Sequence, residues 1–277
     1  MNSRSLSLHG YTLTAHAHGS ADEEAPLVVL VHGMMEPSAV WQSVLDALTK
    51  GEAPCRCVTL DLPWNGLQGG LWGRHMCPQA WLQTALELFD LRPDAWVAHS
   101  FGASALLALL AGDRSGRGAQ APAVLISPFY KATHQEVTWP LFQRYVNEFT
   151  DFVELSIRVR MEDRAVDPAV LGRMTEAARD AFGCYVWTEF WRLFAAMPFL
   201  PLQKVSQPVL LLTGCEDFSS PLPDVQALET ALPDARLQPY PGASHFLLSS
   251  RRNEITQAVT DFLSLASPVE LGEKSFA

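Results

Sequence analysis

Trp96-Val97-Ala98-His99-Ser100-Phe101-Gly102-Ala103 is the stretch whose reading decides the rest. An apolar run with β-branched character, Ala95 to Ala98, leads into it, and a helix-forming run, Ala103 to Ala111, leads out. One serine stands between them, with Ala98 two places before it and Gly102 two places after. That is the layout of a sharp strand–serine–helix turn. Such a turn brings the residues at minus two and plus two close together, so both must be nearly free of side chain. The serine then sits at a helix N-terminus with its hydroxyl exposed, where unpaired N–H groups and the helix dipole favour negative charge.

Outward from this turn the same alternation repeats. Upstream, Pro78 to Leu91 reads as a helix with an early proline, Cys57 to Leu60 as a strand, and Leu27 to Val31 as a continuous apolar strand buried on both faces. A helix from about Ser38 to Thr49 separates the last two. Residues 4–9 and 11–18 predict two short strands turning at Gly10, with Tyr11, Leu13 and Ala15 on one face. Downstream, Ala123 to Ile126 and Val209 to Thr213 are buried strands. Arg236 to Tyr240 is a weaker strand whose Pro239 puts it near a sheet edge. Pro221 to Leu232 and Asn253 to Leu265 are helices, the latter with Ile255, Val259 and Phe262 inward, and a loose tail follows from Pro268 to Ala277. Strands alternating with helices predict an α/β fold with a mostly parallel sheet and right-handed crossovers.

The alternation stops between Phe129 and Gln203. That segment reads as helical throughout, with Asp167-Pro168 as an N-cap and first-turn proline. Val170, Met174, Ala177 and Ala181 fall on one predicted face, and Trp187, Phe190, Trp191 and Phe194 on another. The expected organisation is a core of residues 1–128 and 204–277 with an all-helical, aromatic-rich cap, 129–203, inserted between two strands. Its acids Glu148, Asp151, Glu154 and Asp163 read as the solvated face.

Composition narrows the function. The 277 residues are enough to bury a sizeable core. The formal net charge of −10 argues against nucleic acid as a partner, since phosphate contacts need clustered Lys and Arg; Arg114, Arg117, Arg251 and Arg252 form local pairs and no basic stripe. No uncharged apolar run approaches the ~18 residues of a membrane span, and Met1 to Gly10 lacks a signal-peptide pattern. The expectation is a soluble cytoplasmic protein. The five scattered cysteines, Cys55, Cys57, Cys77, Cys184 and Cys215, suggest reduced thiols and no disulfide framework. The histidines show neither HxxxH nor HExxH spacing, so no metal site is expected.

A serine nucleophile needs a base to take its proton, and the base needs a third group to fix its tautomer. The candidates, Ser100, Asp217 and His245, each follow a predicted strand. In a parallel sheet those carboxyl ends share one edge, where α/β folds bind ligands. The order serine, acid, histidine is that of the α/β-hydrolase arrangement.

The chain resembles the α/β-hydrolase superfamily from about residue 5 to 265. The landmarks are His32-Gly33, Asp61-Leu62-Pro63 with Gly66, Ala98-His99-Ser100-Phe101-Gly102, Gly214-Cys215-Glu216-Asp217, and Gly242-Ala243-Ser244-His245-Phe246. Two departures are Ala98, where glycine is commoner, and Trp64-Asn65-Gly66, where a Gly-x-Gly loop is usual. The resemblance implies Ser100 as nucleophile, His245 as base, Asp217 as orienting acid, and an oxyanion hole from the amides of Met34 and Phe101. Glu216 is the rival acid; spacing from Gly214 favours Asp217. The alternative acid position after the preceding strand is empty, because Ile126 to Tyr130 holds no carboxylate. His99 is expected to point away and pack against the sheet, and His32 to hold the oxyanion loop.

The expected activity is cofactor-free hydrolysis of an ester or thioester of a hydrophobic acyl substrate, with Trp139, Trp187, Trp191 and Phe194 of the cap as candidate substrate contacts. Carbon–carbon bond hydrolysis, acyl transfer or cyclisation, and aminopeptidase chemistry would use the same three residues. A non-catalytic binding protein on the same scaffold is the alternative from a different class.

Overall fold

A computed structural model describes residues 2–51, 54–112, 116–161 and 164–266. Eight strands form one sheet: β1 (Asn2–Leu8), β2 (Tyr11–Gly19), β3 (Leu27–Val31), β4 (Arg56–Asp61), β5 (Ala95–His99), β6 (Ala123–Ile126), β7 (Val209–Gly214) and β8 (Ala235–Tyr240). Their order across the sheet is β1-β2-β4-β3-β5-β6-β7-β8. The first two pairings, β1 with β2 and β2 with β4, are antiparallel; the rest are parallel. The turn joining β1 and β2 uses His9 and Gly10, both at positive φ, which suits a two-residue hairpin. Pro239 lies in β8 at the sheet edge, where a missing N–H leaves no neighbour unpaired.

Alternation within the buried strands sorts side chains to two faces. Val29, Val31, Trp96, Ala98, Ala123 and Leu125 join one core; Val28, Leu30, Ala95, Val97, Val124 and Ile126 join the other. Helices α2 (Pro78–Phe89), α3 (Ser100–Gly112) and α6 (Leu222–Ala231) cover the first face through Trp81, Leu106 and Val225. On the opposite face lie α1 (Gln42–Lys50), the short α7 (Leu247–Ser250) and α8 (Arg252–Ala266), with Val44, Leu247, Ile255 and Val259 inward. From Phe101 to Ala111 every side chain of α3 is buried, which its alanines permit by allowing close approach on all sides.

Among the described residues between β6 and β7 the chain makes no strand. Two long helices, α4 (Trp139–Arg160) and α5 (Pro168–Ala196), fill most of the interval; 129–138, 161 and 164–167 are not α-helical. Asp167 caps α5: its Oδ1 accepts from Ala169 N–H at 2.8 Å and Val170 N–H at 3.3 Å. The face expected for α5 is corrected. Val170, Met174, Ala177 and Ala181 are exposed, and the inward stripe is Leu171, Thr175 and Phe182. The two stripes are one position apart, and Phe182 decides between them by packing on Phe149, ring centroids 4.5 Å apart. Gly183, at φ 61 and ψ 172, then breaks α5 into two segments. Asp163, read as part of a solvated face, lies outside the described residues, as do Arg114 and the tail from Pro268. Among the described residues no helix is long and apolar enough to cross a membrane.

Candidate active site

The carboxyl ends of β3, β5, β7 and β8 meet at one edge of the sheet. Ser100 follows β5 directly and holds φ 52, a left-handed conformation that lifts its side chain off the strand. Gly102 explains the tightness of the turn: a Cβ there would collide with the carbonyl oxygen of His32. Ala98 is fully buried, so a methyl group is accommodated where glycine is commoner. Gly214, at the end of β7, has the same kind of role, since a Cβ would strike the Ala243 and Ser244 carbonyls. Its bareness lets the loop carrying His245 cross the end of β7.

The structure brings Ser100, His245 and Asp217 together. Ser100 Oγ lies 2.8 Å from His245 Nε2, and His245 Nδ1 lies 2.7 Å from Asp217 Oδ2. Asp217 is buried, and burial pushes its carboxyl up. The adjacent His245 and hydrogen bonds from Ser219 and Ser220 outweigh that and hold the pKa below the usual carboxylate range. Its Oδ1 accepts from Ser219 N–H and Oγ–H, both at 2.9 Å, and from Ser220 N–H at 3.0 Å. An ionised Asp217 fixes the His245 tautomer: Nδ1 carries the proton and Nε2 offers its lone pair to the Ser100 hydroxyl. Glu216 is exposed and takes no part.

Ser219 was not singled out by sequence. Its hydroxyl also lies 2.9 Å from His245 Nδ1, so it touches both partners. The signal was Asp217-x-Ser219-Ser220, an acid followed by two small hydroxyl residues that can turn the backbone onto it.

His32 pins the loop after β3. Leu62 N–H donates to its Nε2 at 3.0 Å, so Nδ1 carries the proton and donates to Gly33 O at 2.7 Å. Burial drives its pKa down, in keeping with a neutral ring. Trp64, at the departure from the Gly-x-Gly pattern, does similar work. Its indole N–H donates to His32 O at 3.2 Å, and its carbonyl accepts from Met35 N–H at 2.8 Å. The loop therefore has a defined shape. Gly33 N–H is taken by Glu36 Oε2 at 2.9 Å. Met34, between two engaged amides, lines the same cavity as Ser100 and Phe101.

That cavity has a volume of about 200 Å³ and reaches from Ser100 and His245 into the α4–α5 pair. Of the four aromatic residues expected to touch substrate, Trp187 lines it. Trp139 does not: it is two-thirds exposed and stacks on Phe142. Trp191 stacks on Phe194 and meets Phe142 edge-on. Phe194 is buried in the core against Phe129 and Tyr145. The second segment of α5 turns these two toward the sheet and not toward the serine. The walls come instead from Tyr145, Phe149 and Phe152 of α4, Phe182 and Phe190 of α5, and Phe129, Phe218 and Phe246 from loops. Of these rings Phe152 lies nearest His245, 5.2 Å between centroids.

The expectation for His99 is also corrected. It is buried, but its Nδ1 contacts Glu36 Oε2 at 2.7 Å, and its Nε2 faces the His245 carbonyl oxygen at 3.4 Å. Both His99 and Glu36 reach the cavity wall.

The chain matches the alpha/beta hydrolase family over residues 28–258 and belongs to that family. No curated protein matches the sequence. Among solved structures it is similar to the enol-lactonase of Burkholderia xenovorans, at 19% identity and a TM-score of 0.64 over 94% of this chain and 100% of that one. The thioesterase domain from the curacin biosynthetic pathway is 15% identical, with a TM-score of 0.66 over 94% of this chain and 99% of that one. A meta-cleavage product hydrolase from Pseudomonas fluorescens is 17% identical, with a TM-score of 0.67 over 95% and 98%. At such identities the likeness is one of fold.

Proposed function

We propose that the protein is a serine hydrolase cleaving an ester or thioester of a hydrophobic acyl group. The observation that carries this reading is the hydrogen-bonded chain Ser100–His245–Asp217 at the floor of an aromatic cavity. His245 Nε2 accepts the Ser100 proton as Oγ attacks the carbonyl, and Asp217 stabilises the resulting imidazolium. The imidazolium then protonates the leaving alcohol or thiol. Water, activated by the same ring, releases the acid from the acyl-enzyme.

The oxyanion falls to the Phe101 and Met34 amides. Phe101 stands in the first turn of α3, where N–H groups have no intrahelical partner. The neighbours of Met34 are engaged by Glu36 and Trp64, which leaves its amide as the loop's donor to the site. Each such donor is worth about 3 kcal/mol in the transition state. The segment 129–203 acts as the cap, its aromatic side chains holding the acyl chain.

The test is a panel of nitrophenyl esters and acyl thioesters of graded chain length, with a fluorophosphonate probe alongside. Wild type is expected to turn over members of the panel and to take the probe on Ser100. Ser100→Ala should take no label and lose on the order of 10⁴–10⁶ in kcat. A wild-type protein that takes no label would instead be a binding protein on this scaffold.

A further inference from the structure

One end of the aromatic cavity holds charge. Glu36, His99 and Arg160 line it there. Glu36 Oε2 accepts from His99 Nδ1–H and from Gly33 N–H, and Oε1 lies 3.6 Å from the Arg160 guanidinium. The Nε2 of His99 faces the carbonyl oxygen of His245. Both ring nitrogens of His99 thus meet acceptors, an arrangement that the imidazolium satisfies and either neutral tautomer does not. The pKa directions agree: burial opposes charge on both groups, yet the mutual attraction raises His99 and lowers Glu36 to about 2.

One anion is therefore shared by two cations. His99 is fully buried against Glu36 and balances it. Arg160, at the C-terminal end of α4, is about half exposed and touches the carboxylate only at a long ion-pair distance. Among the described residues lining the cavity, this leaves one positive charge in excess, on the side chain best able to meet a ligand. A guanidinium presents a planar fork of N–H donors matched to a carboxylate.

We propose that Arg160 is the specificity-determining residue of this cavity, and that the substrate carries a carboxylate a few bonds from the carbonyl attacked. The inference rests on the hydrolase reading and names its substrate class: an acid-bearing ester or thioester. The spacing supports it. A Cβ built on Gly33 would lie 2.6 Å from Glu36 Oε2 and 3.1 Å from Ser100 Cβ, so the carboxylate that Arg160 leans on is one side chain's width from the nucleophile. An anion at Arg160 and a carbonyl at Ser100 fit within one small molecule.

The acid can lie on the acyl half or on the leaving-group half, and two pairs of esters separate these sources. The first pair is the mono-nitrophenyl ester of a dicarboxylic acid against its methyl-capped analogue. The second is an alkanoate ester of 4-hydroxybenzoate against that of its methyl ester. In at least one pair the wild type should favour the acid by tenfold or more in kcat/KM, mainly through KM, with the ratio falling as salt rises. Arg160→Gln should bring that ratio to near one, and Arg160→Lys, which keeps the charge but not the fork, should leave it intermediate. Ratios near one in both pairs for the wild type, or a preference that survives Arg160→Gln, overturn the proposal.

A binding arm keeps it separate from the hydrolase reading. Calorimetry on Ser100→Ala compares hexanoate with hexanamide, with and without Arg160→Gln. If no ester is turned over, the hydrolase reading fails, and this arm decides alone. Tenfold tighter hexanoate binding, lost with Arg160, supports the anion site; equal affinities overturn it.

Discussion

Ser100 holds a left-handed backbone at φ 52, which a residue with a Cβ adopts at a cost of about 1–2 kcal/mol. Ser100→Gly is therefore expected to raise the unfolding free energy by about 1 kcal/mol while abolishing ester hydrolysis; urea titration and turnover read the two effects separately. A second residue-scale prediction concerns Glu36. Its pKa falls from 4.5 to about 2 on folding, so the carboxylate contributes stability above pH 4.5 that fades as pH drops toward 2. Glu36→Gln should destabilise by about 3 kcal/mol at pH 6, because it strands the buried His99 cation. The gap to wild type should narrow between pH 4.5 and 2, and a gap constant over that range would contradict the ion pair. Sequence made Ser100, Asp217 and His245 readable because each follows a predicted strand and lies in a landmark of the family that the chain resembles. Glu36 escaped because its partner lies 63 residues away, and a lone acid in a loop reads as solvated. Ser219 escaped because hydroxyl residues after an acid are common in turns.

At the scale of elements, every strand of the sheet announced itself through apolar runs or alternation, and the observed ends fall within about two residues of those expected. The helices between β6 and β7 were less transparent. A spacing of three and four says which side chains share a face, but not which neighbour that face meets. Hence spacing alone puts the inward stripe of α5 one position off and Trp139, Trp191 and Phe194 on the cavity wall, although Trp139 and Trp191 pack on Phe142 and Phe194 lies in the core. The break at Gly183 compounds this, because it re-aims everything after it. Its φ of 61 with ψ of 172 belongs to a region that glycine alone occupies readily. Gly183→Ala has room for its methyl group, so it should cost only the backbone strain, about 1–3 kcal/mol. Thermal unfolding measures that cost, and an unchanged midpoint would mean that α5 runs straight in solution.

The whole molecule divides its labour across one cavity. The sheet edge supplies the side chains proposed to react; the α4–α5 pair supplies about half of the wall. At about 200 Å³ the space is smaller than the ~300–1,000 Å³ of sites for drug-sized ligands. Short acyl chains should be preferred on the nitrophenyl panel, with long-chain esters turned over poorly. Phe182→Ala removes a ring from the wall and should move the optimum to longer chains; an optimum that stays put would place the acyl group elsewhere. This volume could not be read from the sequence, because it depends on how two helices lean over a third element, not on any local pattern.

Ser100 and His245 are 145 residues apart in the chain, and the strand before the serine is central in the sheet while the strand before the histidine is at its edge. During synthesis the proposed nucleophile emerges long before its proposed base. On the proposed mechanism, a nascent chain can wrap β3, β4 and β5 around an inert serine, which gains reactivity only when the last strand docks. Enzyme activity is then a reporter of the final folding step. On dilution from denaturant, its recovery should lag the burial of Trp96, and probe labelling of Ser100 should appear with the slower phase.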